Sequence, residues 1–383
     1  MLMQPDRDSV KEHFSILEIK REKMMDDYTN AAHELANRTL TTGWEVVKIV
    51  KKQPGQTGSF FSVCYHVQKG GELCFMKAFD FASFFQISED SRSGRPIVDI
   101  MSTMLDAYRF ERDLSKLCQN HHVTKVSFVR DAGEEYITGY AIPVVPYLVF
   151  NLADGDIRSM LTFSEDLDQA WKLNSLHDVA VGIKQLHNIE VSHQDLTPSN
   201  ILIFGRDSRI GDLGRSSCKR LSSPHDDKPF TGKWGYAPPE ILYNIYSHDW
   251  QTRCFATDCY LFGSLVVFYF SGVTMNALLR KYLPDPVSWE YWRGSNFNEV
   301  KDYLLQAFER ALEEFTSNIR LPFLRTELEH IVQYLCYPLP EKRGHPRNIK
   351  ELSNNYSMER FITKFDVLAS KVKYELLKGN KSG

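Results

Sequence analysis

Residues 193–214, HQDLTPSNILIFGRDSRIGDLG, constrain this chain more than any other stretch. Asp195 and Asn200 lie five positions apart with Pro198 between them. Proline forbids a continuous helix there, so the stretch reads as a loop feeding the strand ILIF. The hairpin-like ILIFGRDSRIGD then returns the chain to a second loop, where Asp212 is followed by Leu213 and Gly214. Two carboxylates and one carboxamide on turns joined by a hairpin can converge on a divalent cation. Hard cations such as Mg²⁺ take oxygen ligands, one or two carboxylates plus substrate phosphates. Asp212 and Asn200 supply such oxygens, and Asp195 is left to accept a proton from an attacking hydroxyl. The alternative for this stretch taken alone is a polar turn whose Asp and Asn hold only their own backbone.

The surrounding chain narrows the choice. Its 383 residues, 43% hydrophobic and 25% charged, have the composition of a folded soluble protein. That length suits two to three domains or one bilobal enzyme. A net charge of −3 offers no basic field for nucleic acid. The seven cysteines are scattered, with no CxxC pair and no metal-ligand cluster, so reduced thiols of a cytoplasmic protein are expected. The start, MLMQPDRDSVKEHF, is charged and lacks the apolar core of a signal peptide. The longest apolar run, CYLFGSLVVFYF (259–270), is too short to cross a bilayer and reads as a helix buried in a large lobe.

Patterning divides the chain. Residues 1–40 have helical spacing and form an N-terminal helical extension. WEVVKIV, FFSVCYHV and ELCFMKAF are short β-rich runs separated by KKQPGQTGS and QKGG, a meander of antiparallel strands. Residues 81–96 read as an insert. DIMSTMLDAYRFERDLSKLCQ has apolar positions at i, i+3 and i+4 and is a helix. TKVSFV and EEYITGYAIPVVPYLVF are strand-like. After NLADGD (151–156) helices dominate to the end, interrupted by the block around 193–214. Phosphate chemistry also needs positive charge. Lys77 stands in an otherwise apolar strand, where an unpaired charge is costly, and Glu111 of the following helix can pair with it. Singly, each reads as a surface charge.

At this point the residues resemble the eukaryotic-type (Hanks-type) protein kinase family. HQDLTPSN is similar to its catalytic loop, DLG to its metal-binding triplet, CFMK to its lysine strand, and PPE (238–240) to the end of its activation segment. ATDCYLFGSLVVFYFSG resembles the central helix of the large lobe, with Asp258 expected to hold the catalytic loop's backbone. CYPLPEKRGHP resembles the segment whose arginine, here Arg343, pairs with the glutamate of that motif, here Glu240. The motifs occur in family order over residues 44–350, and the overall look resembles stand-alone bacterial Ser/Thr kinases.

The resemblance implies an α+β, bilobal protein kinase-like fold, with a β-rich N-lobe (41–150, insert 81–96) and a mainly helical C-lobe (151–350). A C-terminal helical tail (351–383) follows. It implies that Lys77 contacts the α and β phosphates of ATP and pairs with Glu111, and that Asp212 and Asn200 hold Mg²⁺. Asp195 orients and deprotonates the acceptor hydroxyl of a protein substrate. Gly58, Val63, Phe75, Val149, Asn151 and Leu202 are the further nucleotide contacts it implies. The partners expected are ATP and a protein substrate, with no nucleic acid and no membrane; a homodimer is left open.

The chain departs from the family pattern at several positions. With Val63 set on the family valine, Gln56, Gly58 and Phe61 fall on the three glycines of the phosphate loop, and only Gly58 matches. Phe75 replaces a small residue above the adenine and either crowds the nucleotide or stacks on it. Gln194 replaces the arginine that binds an activation-segment phosphate, so switching by phosphorylation of Ser216, Ser217, Ser222, Ser223 or Thr231 is less needed. Thr197 stands where Ser/Thr kinases carry lysine, and Lys233 where they carry threonine. An active Ser/Thr kinase is the first reading, and a pseudokinase working as an interaction scaffold is the second. A small-molecule kinase is disfavoured by PPE and Arg343. His193 reads as a packed structural histidine, and SWEYWRGSNF (288–297) as lobe packing rather than a partner surface.

Overall fold

A computed structural model of the chain describes residues 30–51, 62–83, 97–163, 168–317, 319–351 and 354–379. These fall into two compact units: residues up to 113 together with 129–152, and residues 114–128 together with those from 153 onward.

The first unit is built on a five-stranded antiparallel sheet. Its strands are β1 (Glu45–Ile49), β2 (Ser62–Lys69), β3 (Glu72–Phe79), β4 (Val129–Tyr136) and β5 (Val144–Asn151), in the order β1-β2-β3-β5-β4. Gly70 and Gly71, at φ 59° and 82°, make the two-residue turn between β2 and β3. Both positions need positive φ for the turn to match the strands' twist, which glycine supplies. That turn sets the register from Lys69 opposite Glu72 to Ser62 opposite Phe79.

Because side chains alternate along a strand, this register sorts two apolar faces. Val63, Tyr65, Val67, Cys74, Met76, Ala78, Tyr147 and Val149 form one core with Trp44. Phe79 and Leu148 on the other face pack with Met104 and Tyr108 of helix α1 (Ile97–Asn120). Ala31, Ala32, Leu35 and Leu40 join the first core. Residues 30–40 therefore belong to the sheet unit and carry only a short 3₁₀ turn, Ala31–His33, rather than the end of a long helix. The rest of the N-terminal extension, most of the 81–96 insert, and Gly58 with the remainder of the phosphate loop lie outside the described residues. TKVSFV is not a strand: β4 begins at Val129, and Val126 makes only an isolated bridge to Ile210. EEYITGYAIPVVPYLVF splits into the end of β4, a turn and β5.

The second unit is helical apart from short strand pairs. Helix α2 (Ile157–Phe163) follows β6 (Gly155–Asp156); α3 (Gln169–Asn188) is capped by Asp168, whose carboxylate accepts from the Ala170 amide at 2.9 Å. Strand β7 (Val191–Ser192) leads into the 193–200 loop. β8 (Ile201–Phe204) and β9 (Asp207–Ile210) form the expected hairpin, with β6 on its outer edge. The segment after Asp212 contributes β10 (Ser217–Cys218), paired with β7, and ends in α4 (Pro239–Leu242).

The apolar run at 259–270 is part of the 22-residue helix α5 (Trp250–Ser271), longer than the run alone suggested. By length and composition α5 could span a bilayer, but 83% of its apolar window is buried, as in a core helix. Asp249 caps its start at 2.7 Å from the Thr252 amide, and Gly272 (φ 74°) ends it with a bond to the Phe268 carbonyl. Helices α6 (Met275–Tyr282), α7 (Asn298–Ser317), α8 (Pro322–Leu335) and α9 (Pro346–Lys350) complete the body. Trp289, Trp292 and Phe297 pack edge-on around the Tyr243 ring, a packing role for 288–297. The C-terminal helix α10 (Glu359–Gly379) lies along α3 and buries Phe361, Phe365, Leu368 and Val372, so it is integral to this unit.

Candidate active site

In the first unit the Lys77 ammonium donates to Glu111 Oε2 at 2.8 Å. Both residues are buried, at 8% and 3% exposure, so each charge depends on the other. The register places Cys64 opposite Lys77, and His66 and Phe150 opposite Phe75. The face that presents Lys77 is therefore lined by Phe75, Cys64, His66, Leu148 and Phe150, and the Phe75 and Phe150 rings lie 6.5 Å apart.

This corrects two expected nucleotide contacts. Val63 pairs with Ala78 and Val149 with Met76, which puts both side chains in the core on the face away from Lys77. Asn151 is exposed at the end of β5 and accepts from Arg130 at 3.4 Å. His66 and Cys64 were missed, although counting back from the Gly70-Gly71 turn would have found them. Leu202, in the second unit, is half-buried in β8 opposite Arg209.

In the second unit Pro198 opens a 3₁₀ turn, Pro198–Asn200, which bends the loop so that Asn200 folds back on Asp195. Asn200 Nδ2 donates to the Asp195 carbonyl at 2.8 Å and to Asp195 Oδ2 at 3.1 Å. Asp195 Oδ1 accepts the Lys233 amide at 3.1 Å. Burial pushes the Asp195 carboxyl up in pKa, against the pull of Arg215 and Lys233.

The loop's backbone is held by Asp258, which is completely buried on α5. Its Oδ2 accepts the His193 amide and its Oδ1 the Gln194 amide, both at 2.9 Å; His187 Nε2 lies 2.9 Å from Oδ2. Burial works to raise the Asp258 carboxyl, but His187 and the Gln194 amide outweigh it and hold the pKa below the usual range. The clamp fixes Gln194 at φ 64°, a left-handed conformation that a non-glycine residue adopts at a cost. The Gln194 side chain turns inward, donating to Ser192 Oγ at 2.7 Å and the Cys254 carbonyl at 3.1 Å.

Asp212 is set by the residue before it. The Gly211 amide donates to the Asn200 carbonyl at 2.8 Å, and the Gly211 carbonyl lies 2.9 Å from His193 Nε2. His193, wholly buried, thus ties the two loops together. Asp212 itself is left-handed at φ 58°. Farther along, Arg215 and Thr231 bond reciprocally: Arg215 Nη1 donates to the Thr231 carbonyl at 2.8 Å, and the Thr231 hydroxyl donates to the Arg215 carbonyl. The segment's end is anchored by Arg343, fully buried, whose guanidinium donates to both Glu240 oxygens at 2.7 and 2.9 Å and to the Ala256 carbonyl at 2.8 Å.

Among the described residues no cluster of three His, Cys, Asp or Glu side chains could hold a metal ion. The donor set nevertheless suits a hard cation assisted by phosphates. Asp212 offers a carboxylate, and the nitrogen end of the Asn200 amide is committed to Asp195, which leaves its oxygen as the end for a cation.

The first unit thus carries a buried lysine–glutamate pair and the second a loop–hairpin–loop of Asp, Asn and Asp, and each by itself is a constellation used in phosphoryl transfer. The model of the protein kinase domain family matches residues 100–343, more than half of the chain. The chain belongs to the protein kinase family, and its fold is the bilobal kinase fold. It is similar to the serine/threonine-protein kinase SBK1 of Danio rerio, at 29% identity over 40% of this chain and 39% of that protein. It is also similar to mitogen-activated protein kinase 2 of Oryza sativa subsp. japonica, at 26% identity over 45% and 42%. Mitogen-activated protein kinase 5 of Arabidopsis thaliana is 25% identical over 50% of this chain and 55% of its own length. The matches thus span roughly two fifths to about half of these relatives' lengths.

Proposed function

We propose that this chain is an ATP-dependent protein kinase that transfers the γ-phosphoryl group to Ser and Thr hydroxyls of protein substrates, itself among them. The observation that carries the reading is the buried Asp195 carboxylate, aimed by Asn200 Nδ2 on one oxygen and the Lys233 amide on the other. A carboxylate so fixed has lone pairs left to orient an acceptor hydroxyl and take its proton, and burial makes it the stronger base. In the other unit Lys77 is a buried cation held by the Glu111 carboxylate, which orients it for phosphate oxygens. Asp212 and the Asn200 oxygen would hold Mg²⁺, which when bound neutralises charge on the phosphates. The name of one relative, the serine/threonine-protein kinase SBK1, supports Ser/Thr as the acceptor class.

The experiment is incubation of purified protein with Mg-ATP and generic protein substrates, with every phosphosite mapped by mass spectrometry. Phosphoserine and phosphothreonine are expected; phosphotyrosine alone would contradict the acceptor class. Phe75 on the Lys77 face favours a second reading, a scaffold with a closed nucleotide site, which absence of Mg-dependent ATP binding would support.

A further inference from the structure

Transfer of a phosphoryl group past Asp195 concentrates negative charge beside a carboxylate, and that charge needs a cation within reach. The groups whose charges act on Asp195 to favour its ionised form are Arg215, Lys233 and His193. His193 serves the loops: the Asp195 amide donates to its Nδ1 at 3.2 Å while Nε2 lies against the Gly211 carbonyl, so both ring nitrogens are engaged. Arg215 has a guanidinium nitrogen committed to the Thr231 carbonyl. Thr197, in the same loop, carries no charge and shares a bond with Ser199 Oγ at 3.0 Å.

Lys233 reaches the site from the segment that follows Arg215 and Thr231. Gly232 crosses the 193–200 loop so closely that a Cβ on it would stand 2.1 Å from the Gln194 carbonyl oxygen. That approach lays the next residue on Asp195, where the Lys233 amide binds Oδ1. The charges acting on the Lys233 ammonium are those of Asp195, Arg215, Asp212 and Arg158.

We infer that Lys233 is a further catalytic residue, whose ammonium contacts the transferring phosphoryl group and supplies the positive charge that Thr197 cannot. This rests on the kinase reading above and deepens it. The lysine comes from the segment that ends at Glu240 rather than from the loop that carries the base. Its position therefore depends on the Gly232 crossing and the Arg215–Thr231 ties, so that ordering of this segment and charge at the site are one event.

The test compares Lys233→Met and Lys233→Arg with wild type, measuring phosphotransfer and the binding of MgATP and MgADP to the full chain. Lys233→Met is expected to lose about 100-fold in kcat, the scale for removing one donor to developing charge. Its MgATP affinity should fall by about tenfold while MgADP affinity, which senses no γ-phosphate, stays within about twofold and certifies the fold. Lys233→Arg should recover most of the ATP-over-ADP preference. Unchanged kcat in Lys233→Met, or equal weakening of ATP and ADP, would overturn the assignment. A wild type that transfers nothing but loses its ATP preference in Lys233→Met would sink the kinase reading and leave the lysine's γ-phosphate contact standing. A wild type without ATP preference would sink both.

Discussion

Asp258→Asn should damage the site more than the fold, and the size of both effects can be worked from the clamp. Asp258 satisfies two backbone amides and faces one imidazole nitrogen, all at 2.9 Å and all buried. An asparagine replaces one acceptor oxygen with an NH₂. Either the Gln194 amide or the His193 amide then faces a donor instead of an acceptor. An unsatisfied buried donor costs about 1–3 kcal/mol, and the remaining bonds lose charge assistance of about 1 kcal/mol. The expected loss is about 2–4 kcal/mol, which at about 2–4 °C per kcal/mol lowers Tm by about 4–16 °C. The same clamp holds Gln194 left-handed, a state about 1–3 kcal/mol above relaxed backbone. Once loosened, Gln194 should relax and carry Asp195 with it, so kcat should drop by more than about tenfold at temperatures where the variant is fully folded. Adding Gln194→Gly, which tolerates positive φ, should return part of the stability. Thermal melts and initial-rate kinetics on the single and double variants measure these effects. An Asp258→Asn protein within about 1 kcal/mol of wild type and with wild-type kcat would refute the clamp argument.

Gly232→Ala should leave the unit folded but lift residues 231–233 off the loop, because its Cβ would lie 2.1 Å from the Gln194 oxygen; a kcat loss above about tenfold is expected in steady-state assays, and wild-type rates would contradict it. Burial lowers the His225 pKa to about 4, below its usual 6.5, so its contribution to stability is complete above about pH 6.5 and is lost as pH falls towards 4. Denaturant titrations should show wild type losing more stability over that window than His225→Phe; parallel curves would contradict it. Phe75→Ala removes the ring that packs beside Phe150 on the Lys77 face, and MgATP affinity should weaken by up to about tenfold if the ring stacks on the base. Tighter binding in a calorimetric titration would show instead that the ring crowds the site.

Much of this site could be read from residue types and spacing. Pro198 speaks against a continuous helix at 193–202, so Asp195 and Asn200 could be read as sharing a loop and the hairpin that follows as able to bring Asp212 back to them. Glu240 and Arg343 were matched only through the resemblance to the kinase family; the structure supplies the physical reason, a fully buried arginine that needs a carboxylate. The sheet was harder. Val63, Cys64, Tyr65 and His66 are similar in polarity pattern on either reading, and only the two-residue turn at Gly70-Gly71 decides which of them share a face with Lys77. A one-residue slip in that count exchanges every lining residue for a core residue; Val63 and Val149, expected at the nucleotide from the family resemblance alone, fall on the core side of it. The boundaries of the units were obscured for a related reason. Residues 30–40 and α10 have the amphipathic spacing of free-standing helices, yet Leu35 and Phe365 are wholly buried by partners distant in sequence. The left-handed Gln194 left no trace at all, since its cause is Asp258, sixty-four positions away.

Asp195 carries the proposed chemistry. Asp195→Asn keeps the shape of the side chain and can keep the Lys233 amide bond through its oxygen, but it cannot take a proton. Phosphotransfer from Mg-ATP by wild type and Asp195→Asn, measured side by side under single-turnover conditions, is the most direct test. Wild type is expected to transfer phosphate and the variant to lose at least about 100-fold with MgATP still bound. Equal transfer by the two proteins would contradict it.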